Sequence, residues 1–256
     1  MPYISVIVPT LNEAKYIGNL LMSIERQSYR NFEVIIIDGG SNDQTTEIAQ
    51  AFGAKIVLLP HAKEFPSRNA GAALALGEII LFTGADMLFP ENIFGKIAEK
   101  FKDRHILAVA GPGIPYGASL MIQIEFTIYN TLRYVFAHLP KPLKQYSAST
   151  NLLAVRKKVF EEIGGLNADE VNADGMLGRA LCHRGKVFFS LVGIKAYQSP
   201  RRVKEMGFLE FNAHFFYVLE NFFPFLSRTR LIKKSKYQSK ITHSKMREES
   251  NIDVKT

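Results

Sequence analysis

The strongest constraint on the fold is an alternation in the first third of the chain, where short β-branched runs are separated by segments with helical spacing. Ile4-Ser5-Val6-Ile7-Val8 closes at Pro9 and reads as a buried strand. Asn12 and Glu13 open a helical pattern whose apolar positions include Ile17, Leu20, Leu21 and Ile24. Phe32 to Ile37 predicts a second buried strand ending at Asp38, followed by the turn Gly39-Gly40-Ser41-Asn42-Asp43. Asp43 is expected to cap a helix running through Ala51. Lys55 to Leu59 predicts a third strand, Asn69 to Leu76 a helix and Glu78 to Thr83 a fourth strand. This spacing predicts an α/β domain with a doubly wound, mostly parallel sheet, whose ligands gather at the carboxyl ends of the strands. The polar residues cluster there: Asn12 and Glu13 after the first strand, Asp38 after the second and Asp86 after the fourth.

From about residue 110 the alternation fades. Gly111 to Gly117 reads as a loop and Leu120 to His138 as an aromatic-rich helix. Asn151 to Val155 reads as a strand, Lys157 to Ile163 as a short helix ended by Gly164-Gly165, and Asn172 to Cys182 as a further helix.

Composition narrows the class. The 256 residues suffice for one large core, and 47% apolar with 22% charged residues excludes global disorder. The net charge is +8, but Ser227 to the end holds nine Lys or Arg against three acids, so +6 belongs to a tail. Cys182 is the single cysteine, which excludes an intrachain disulfide and a CxxC zinc site. The chain begins in a strand-like run without signal-peptide order, and a cytoplasmic protein is expected.

Two common uses of a doubly wound sheet are excluded by the first turn. Pro9-Thr10-Leu11-Asn12-Glu13 holds no glycine, so the dinucleotide fingerprint is missing, and the P-loop pattern is absent as well. A nucleotidyltransferase would also need a Gly-rich basic loop there.

Four segments in order instead resemble family-2 glycosyltransferases of the GT-A fold. They are Val8-Pro9-Thr10-Leu11-Asn12-Glu13, Asp38-Gly39-Gly40-Ser41-Asn42-Asp43, Arg68-Asn69-Ala70-Gly71 and Gly84-Ala85-Asp86. The resemblance covers roughly residues 3 to 200. It implies an inverting transfer of a sugar from a UDP- or GDP-sugar to a hydroxyl or a polyisoprenyl-phosphate acceptor. Pro9, Thr10, Asn12, Glu13, Asp38, Arg68, Asn69, Ala85 and Asp86 then line the nucleotide-sugar site, with Asp38 on the base or ribose. Asp86 matches the last acid of the family's Asp-x-Asp pattern and holds Mg²⁺ or Mn²⁺ on the diphosphate. Asp174 matches the acid that takes the acceptor proton. Arg201 and Arg202 serve the diphosphate or the acceptor. The chain departs from the pattern at Gly84 and Ala173, each standing where the family has an acid. These losses leave open a non-catalytic nucleotide-sugar-binding or scaffold protein, and Asp169 and Glu170 compete with Asp174 for the base role.

The implied organisation is a GT-A domain over residues 1–205, split into a nucleotide-sugar half (1–110) and an acceptor half (111–205). An amphipathic helix over 206–226 and a basic tail over 227–256 follow. The helix is too polar to span a membrane. Its Phe208, Phe211, Phe215, Val218, Leu219 and Phe222 stripe suits packing on the domain, on a second subunit of an oligomer, or in a membrane interface through residues 207–247. No nucleic-acid module is present, and nucleic acid is not expected as a partner.

Overall fold

A computed structural model describes residues 3–139, 149–169 and 173–201. The chain divides into two compact units, Met1–Pro200 and Arg201–Thr256. Arg202, the 206–226 helix and the basic tail lie outside the described residues.

The first half builds as the apolar pattern dictates. Strand β1 (Ile4–Thr10) leads into helix α1 (Ala14–Glu25), β2 (Phe32–Asp38), α2 (Thr45–Ala51), β3 (Lys55–Leu58), α3 (Glu64–Leu74) and β4 (Ile79–Thr83). The buried side chains of α1 are Ile17, Leu20, Leu21 and Ile24, the set expected from its spacing. Then come β5 (Met87–Leu88), α4 (Ile93–Lys100), β6 (Ile106–Ala110), β7 (Gly113–Pro115) and α5 (Leu120–His138). The described part ends with β8 (Leu152–Arg156), α6 (Lys157–Ile163), α7 (Ala173–Arg184), β9 (Lys186–Phe189) and β10 (Ala196–Gln198).

Seven strands form one sheet in the order β3-β2-β1-β4-β8-β6-β9, and β5, β10 and β7 form a second. β1 runs parallel to both β2 and β4, whereas β8 is antiparallel to β4 and β6. The sheet is therefore mostly parallel, with one reversed strand inside it. Alternation along β1 feeds two cores, as the period of a strand requires. Ile4, Val6 and Val8 pack with α1 and α4 on one face, while Ile7 joins Ile35, Ile37 and residues of α3, α6 and α7 on the other.

Three local expectations are corrected. Helix α3 starts at Glu64, five residues before the expected Asn69, because Pro66 in its first turn carries no N–H that the turn needs. The N-cap of α2 is Gln44; Asp43 one residue earlier accepts from Thr45 N at 3.1 Å and from Ala14 N at 3.0 Å, so it serves two helices at once. The sheet runs further than the alternation suggested, since β6 and β9 extend it beyond β8.

Gly71 explains one motif residue. A Cβ there would lie 2.4 Å from Ile7 Cγ2 and 3.2 Å from Ile37 Cγ1, so α3 rests on the sheet only because this position lacks a side chain.

Candidate functional site

The carboxyl ends of β1 and β2 are joined by side chains. Asp38 is 0% exposed, and its Oδ1 accepts from Gly40 N at 2.9 Å and Ser41 N at 2.7 Å. Its Oδ2 accepts from Thr10 Oγ1 at 2.8 Å and Ser41 Oγ at 2.6 Å. Four donors thus fill the four lone-pair directions of one carboxylate. Gly40 at φ 98 supplies the left-handed turn that brings both N–H groups round to it.

The loop after β1 is fastened to the same turn. Asn12, at φ 54, accepts from Asn42 N through Oδ1 at 2.9 Å, while its own N–H reaches Ser41 Oγ at 2.8 Å. Asparagine tolerates this left-handed backbone better than most residues. Glu13 is buried at the start of α1, and its N–H donates to Thr45 Oγ1 at 2.8 Å. Pro9 lies within β1 and pairs with Ile37. Thr10, Asn12, Glu13 and Asp38 are therefore brought together by one set of hydrogen bonds.

Arg68 and Asn69 play a different part from a solvent-facing pocket wall. Arg68 is 1% exposed; it donates to Thr83 O at 2.9 Å and pairs with Glu64 Oε1 at 2.9 Å. The guanidinium thereby ties α3 to the end of β4, directly before Gly84. The Asn69 amide clasps one backbone unit, donating to Leu166 O at 2.7 Å and accepting from Leu166 N at 2.9 Å. Gly165, at φ 75, has no room for a Cβ, which would meet Asn69 Oδ1 at 2.9 Å. The clasp holds the segment that leads towards α7.

After β4, Ala85 is buried and Asp86 half-buried. A Cβ at Gly84 would sit 3.0 Å from Asp86 Oδ1, so the Asp86 carboxylate leans over the space where the family carries another acid. Asp86 O accepts from Ser199 N at 3.0 Å, which anchors the loop to the end of β10. Asn151 Oδ1 lies 3.8 Å from the same Cβ position, and Asn151 Nδ2 donates to Gln198 Oε1 at 3.3 Å. Asn151 and Gln198 escaped the sequence reading because strands distant in the chain bring them there.

A metal fit can be read from these donors. Among the described residues no group of three His, Cys, Asp or Glu converges. One carboxylate suits a hard cation that takes most of its ligands from diphosphate oxygens and water.

Asp174 lies in the first turn of α7, half-buried, with Oδ1 accepting from Gly175 N at 2.8 Å. Burial pushes its carboxyl above the usual carboxylate range, and the charge of Glu64 adds to this. The Gly175 N–H and the cations Arg133 and Arg68 oppose the rise. Burial likewise raises the Tyr129 phenol on α5, against the pull of Arg133 and with a further push from Asp174. Glu64, Tyr129 and Arg133 thus join Asp174 in one electrostatic neighbourhood drawn from three helices. Their spacing in sequence gave no hint of it. Ala173 is 1% exposed and packs in the core beside Leu177, so an acid at this position would be stripped of water. Asp169 is exposed, and Glu170 lies outside the described residues. Arg201 opens the second unit.

Comparison with known proteins decides the lineage. The model of the family described as glycosyl transferase family 2 matches residues 5–164. The chain belongs to this family. Among curated members, it is 36% identical over 104 residues to a PGL/p-HBAD biosynthesis glycosyltransferase of Mycobacterium bovis (strain BCG / Pasteur 1173P2), covering 38% of this chain and 41% of that protein. It is 33% identical over 143 residues to the poly(ribitol-phosphate) beta-N-acetylglucosaminyltransferase TarS of Staphylococcus aureus (strain Mu50), covering 50% of this chain and 25% of TarS. These alignments span well under half of the relatives' own lengths. The family-2 fold also matches the mannosyltransferase PcManGT of Pyrobaculum calidifontis, solved with GDP-Man and Mn²⁺, at a TM-score of 0.60 and 23% identity over 77% of this chain and 57% of that one. S. aureus TarS in complex with UDP aligns at a TM-score of 0.62 and 19% identity over 79% of this chain and 62% of that one. These neighbours establish a GT-A architecture.

Proposed function

We propose that the protein is an inverting glycosyltransferase that moves a sugar from a UDP- or GDP-sugar to a hydroxyl or polyisoprenyl-phosphate acceptor in a single displacement. What supports this reading is strand order: β2, β1 and β4 are neighbouring parallel strands, with Asp38 at the carboxyl end of β2, Thr10 at that of β1 and Asp86 just after that of β4. In this reading the laced loops of Thr10 to Glu13 and Asp38 to Thr45 receive the nucleoside. The Ser41 and Thr10 hydroxyls rotate to yield an Asp38 oxygen to a base or ribose donor. Asp86 holds Mg²⁺ or Mn²⁺, which supplies charge neutralisation for the departing diphosphate. PcManGT, solved with GDP-Man and Mn²⁺, and TarS, solved with UDP, support a nucleotide-sugar donor and a cation by kinship.

Asp174 takes the proton of the acceptor hydroxyl. Its raised pKa supports this role, because a stronger base accepts a proton more readily once it is ionised. An anionic lipid phosphate would need little such help. Arg68 and Asn69 contribute by holding the β4 end and the approach to α7, and Arg201 and Arg202 complete the diphosphate or acceptor side. A cytoplasmic setting with peripheral attachment belongs to the same reading, and the single cysteine, buried and in no disulfide, suits a reducing compartment.

The test is a thermal-shift panel of UDP, GDP, CDP, TDP and ADP, each with and without Mn²⁺. A nucleotide bound only by the native state raises the melting temperature by mass action. Metal-dependent stabilisation by one nucleotide is expected, followed by an inverted anomer in the product by NMR. A retained anomer overturns the single displacement, and silence from every nucleotide overturns the donor site.

A further inference from the structure

Helix α5 is amphipathic in the reverse of the usual sense. Its 19 residues include two Asp, Glu, Lys or Arg side chains, and both are turned inward. Arg133 is 4% exposed, and both carboxylate oxygens of Glu125 are shielded from solvent. The outward face instead presents Leu120, Met121, Ile124, Ile128, Leu132 and Val135, with Leu120 at 73% and Ile128 at 55% exposure. The polar residues between them, Gln123, Thr127 and Thr131, carry no charge. A helix facing water normally puts its charges there. An apolar stripe about 23 Å long marks a contact with something apolar.

Charge indicates what that partner is. Lys141 and Lys144 follow the end of α5 within six residues, and no acid stands among residues 139–148 to offset them. A second copy would bring the same positive charge to the contact. An anionic bilayer turns that charge into attraction and offers hydrocarbon to the stripe. The helix does not span the membrane: no described helix is long and apolar enough to cross one.

We infer that the outer face of α5 seats the protein on an anionic lipid surface, lying in the interface with Leu120 to Val135 turned into the acyl boundary. One consequence rests on the transfer reading above. The Asp174 carboxylate on α7 lies near enough to Tyr129 on α5 to raise that phenol, so the acceptor side of the site backs onto the helix whose outer face meets the lipid. An acceptor with its tail in that bilayer could present its head to Asp174 without leaving the membrane.

The chain contains no tryptophan, which makes the test site-specific. Ile128→Trp in the full chain introduces a single emitter on the stripe. With phosphatidylglycerol-containing vesicles its emission should shift to the blue and be quenched by brominated acyl chains, and pure phosphatidylcholine should give a weaker response. Ile124→Asp with Leu132→Asp, both exposed positions, should cut flotation with the anionic vesicles by about tenfold or more. Nucleotide thermal shifts on the same variant should match the parent, so a failure of the donor reading is seen separately from a failure of the membrane seat. Flotation that persists in this variant, with Trp emission unmoved, assigns binding to another segment and overturns the inference. A blue shift that grows with protein concentration without vesicles assigns the stripe to a second copy and also overturns it. So does the absence of any flotation.

Discussion

Thr10 Oγ1 donates to Asp38 Oδ2 at 2.8 Å, joining the ends of two neighbouring parallel strands through a fully buried carboxylate. Removing the donor should cost about 1–2 kcal/mol, the usual penalty for a buried acceptor left short of a partner. Thr10→Val keeps the shape and loses the hydroxyl, so urea denaturation should show that loss directly. Asp38→Ala strands four donors at once and should cost about 3 kcal/mol or more. It should also abolish nucleotide-induced thermal stabilisation. An Asp38→Ala protein with full stability and full nucleotide response would remove this carboxylate from the site.

Asp86 is half-buried and its side chain carries little of the core, so Asp86→Ala should leave stability within about 0.5 kcal/mol of the parent. The same variant should lose the Mn²⁺-dependent part of the nucleotide thermal shift. Gly84→Asp places a second carboxylate beside it and crowds Asp86 Oδ1, which already lies 3.0 Å from the new Cβ. Calorimetric titration of Mn²⁺ without nucleotide should be measurable in Gly84→Asp and negligible in the parent.

The raised pKa of Asp174 has two consequences for pH. The folded protein keeps this proton to a higher pH than the unfolded chain does, so stability falls as pH rises from the ordinary carboxylate range through the folded value. Asp174→Asn removes that loss and should be the more stable protein at neutral pH, with equal stability near pH 3. Denaturation midpoints from about pH 3 to about pH 8 test this. Transfer to a hydroxyl acceptor should rise with pH over the same window, since the base must be unprotonated, and should fall about 100-fold or more in Asp174→Asn.

Arg68 is a strut. Arg68→Met keeps the volume but abandons the Thr83 carbonyl and Glu64, and should cost about 2–3 kcal/mol in chemical denaturation. Asn69→Ala should cost about 1–3 kcal/mol by freeing the Leu166 backbone. Its kinetic effect should fall on the acceptor KM more than on the donor KM, because the clasp leads to α7.

The first third of the chain was legible because its signals are local. The stripe Ile17, Leu20, Leu21 and Ile24 is a helix face by spacing alone, and Asp38 before Gly39-Gly40 is a strand end by chemistry alone. The Arg68-Asn69-Ala70-Gly71 motif was visible, but its mechanics were not. Whether Arg68 faces solvent or Thr83 depends on where α3 lies, and that depends on Gly71 against Ile7. The far side of the sheet stayed hidden for a related reason. β9 owes its place to pairing with β6, some 80 residues away in sequence, and no periodicity within Lys186–Phe189 announces that partner.

The reversed strand β8 bears on how the chain is made. β4 is buried along its length and needs β1 on one side and β8 on the other. β1 is already available when β4 is translated, but Leu152 follows Thr83 by about 70 residues, several seconds later at about 5–20 residues per second. Throughout that interval Ile79-Ile80-Leu81-Phe82 presents an unsatisfied, wholly apolar edge to the crowded surroundings of the ribosome. The nascent chain should therefore depend on a holding chaperone until residue 156 emerges, and fragments ending before it should aggregate however complete their β1 and β2 loops.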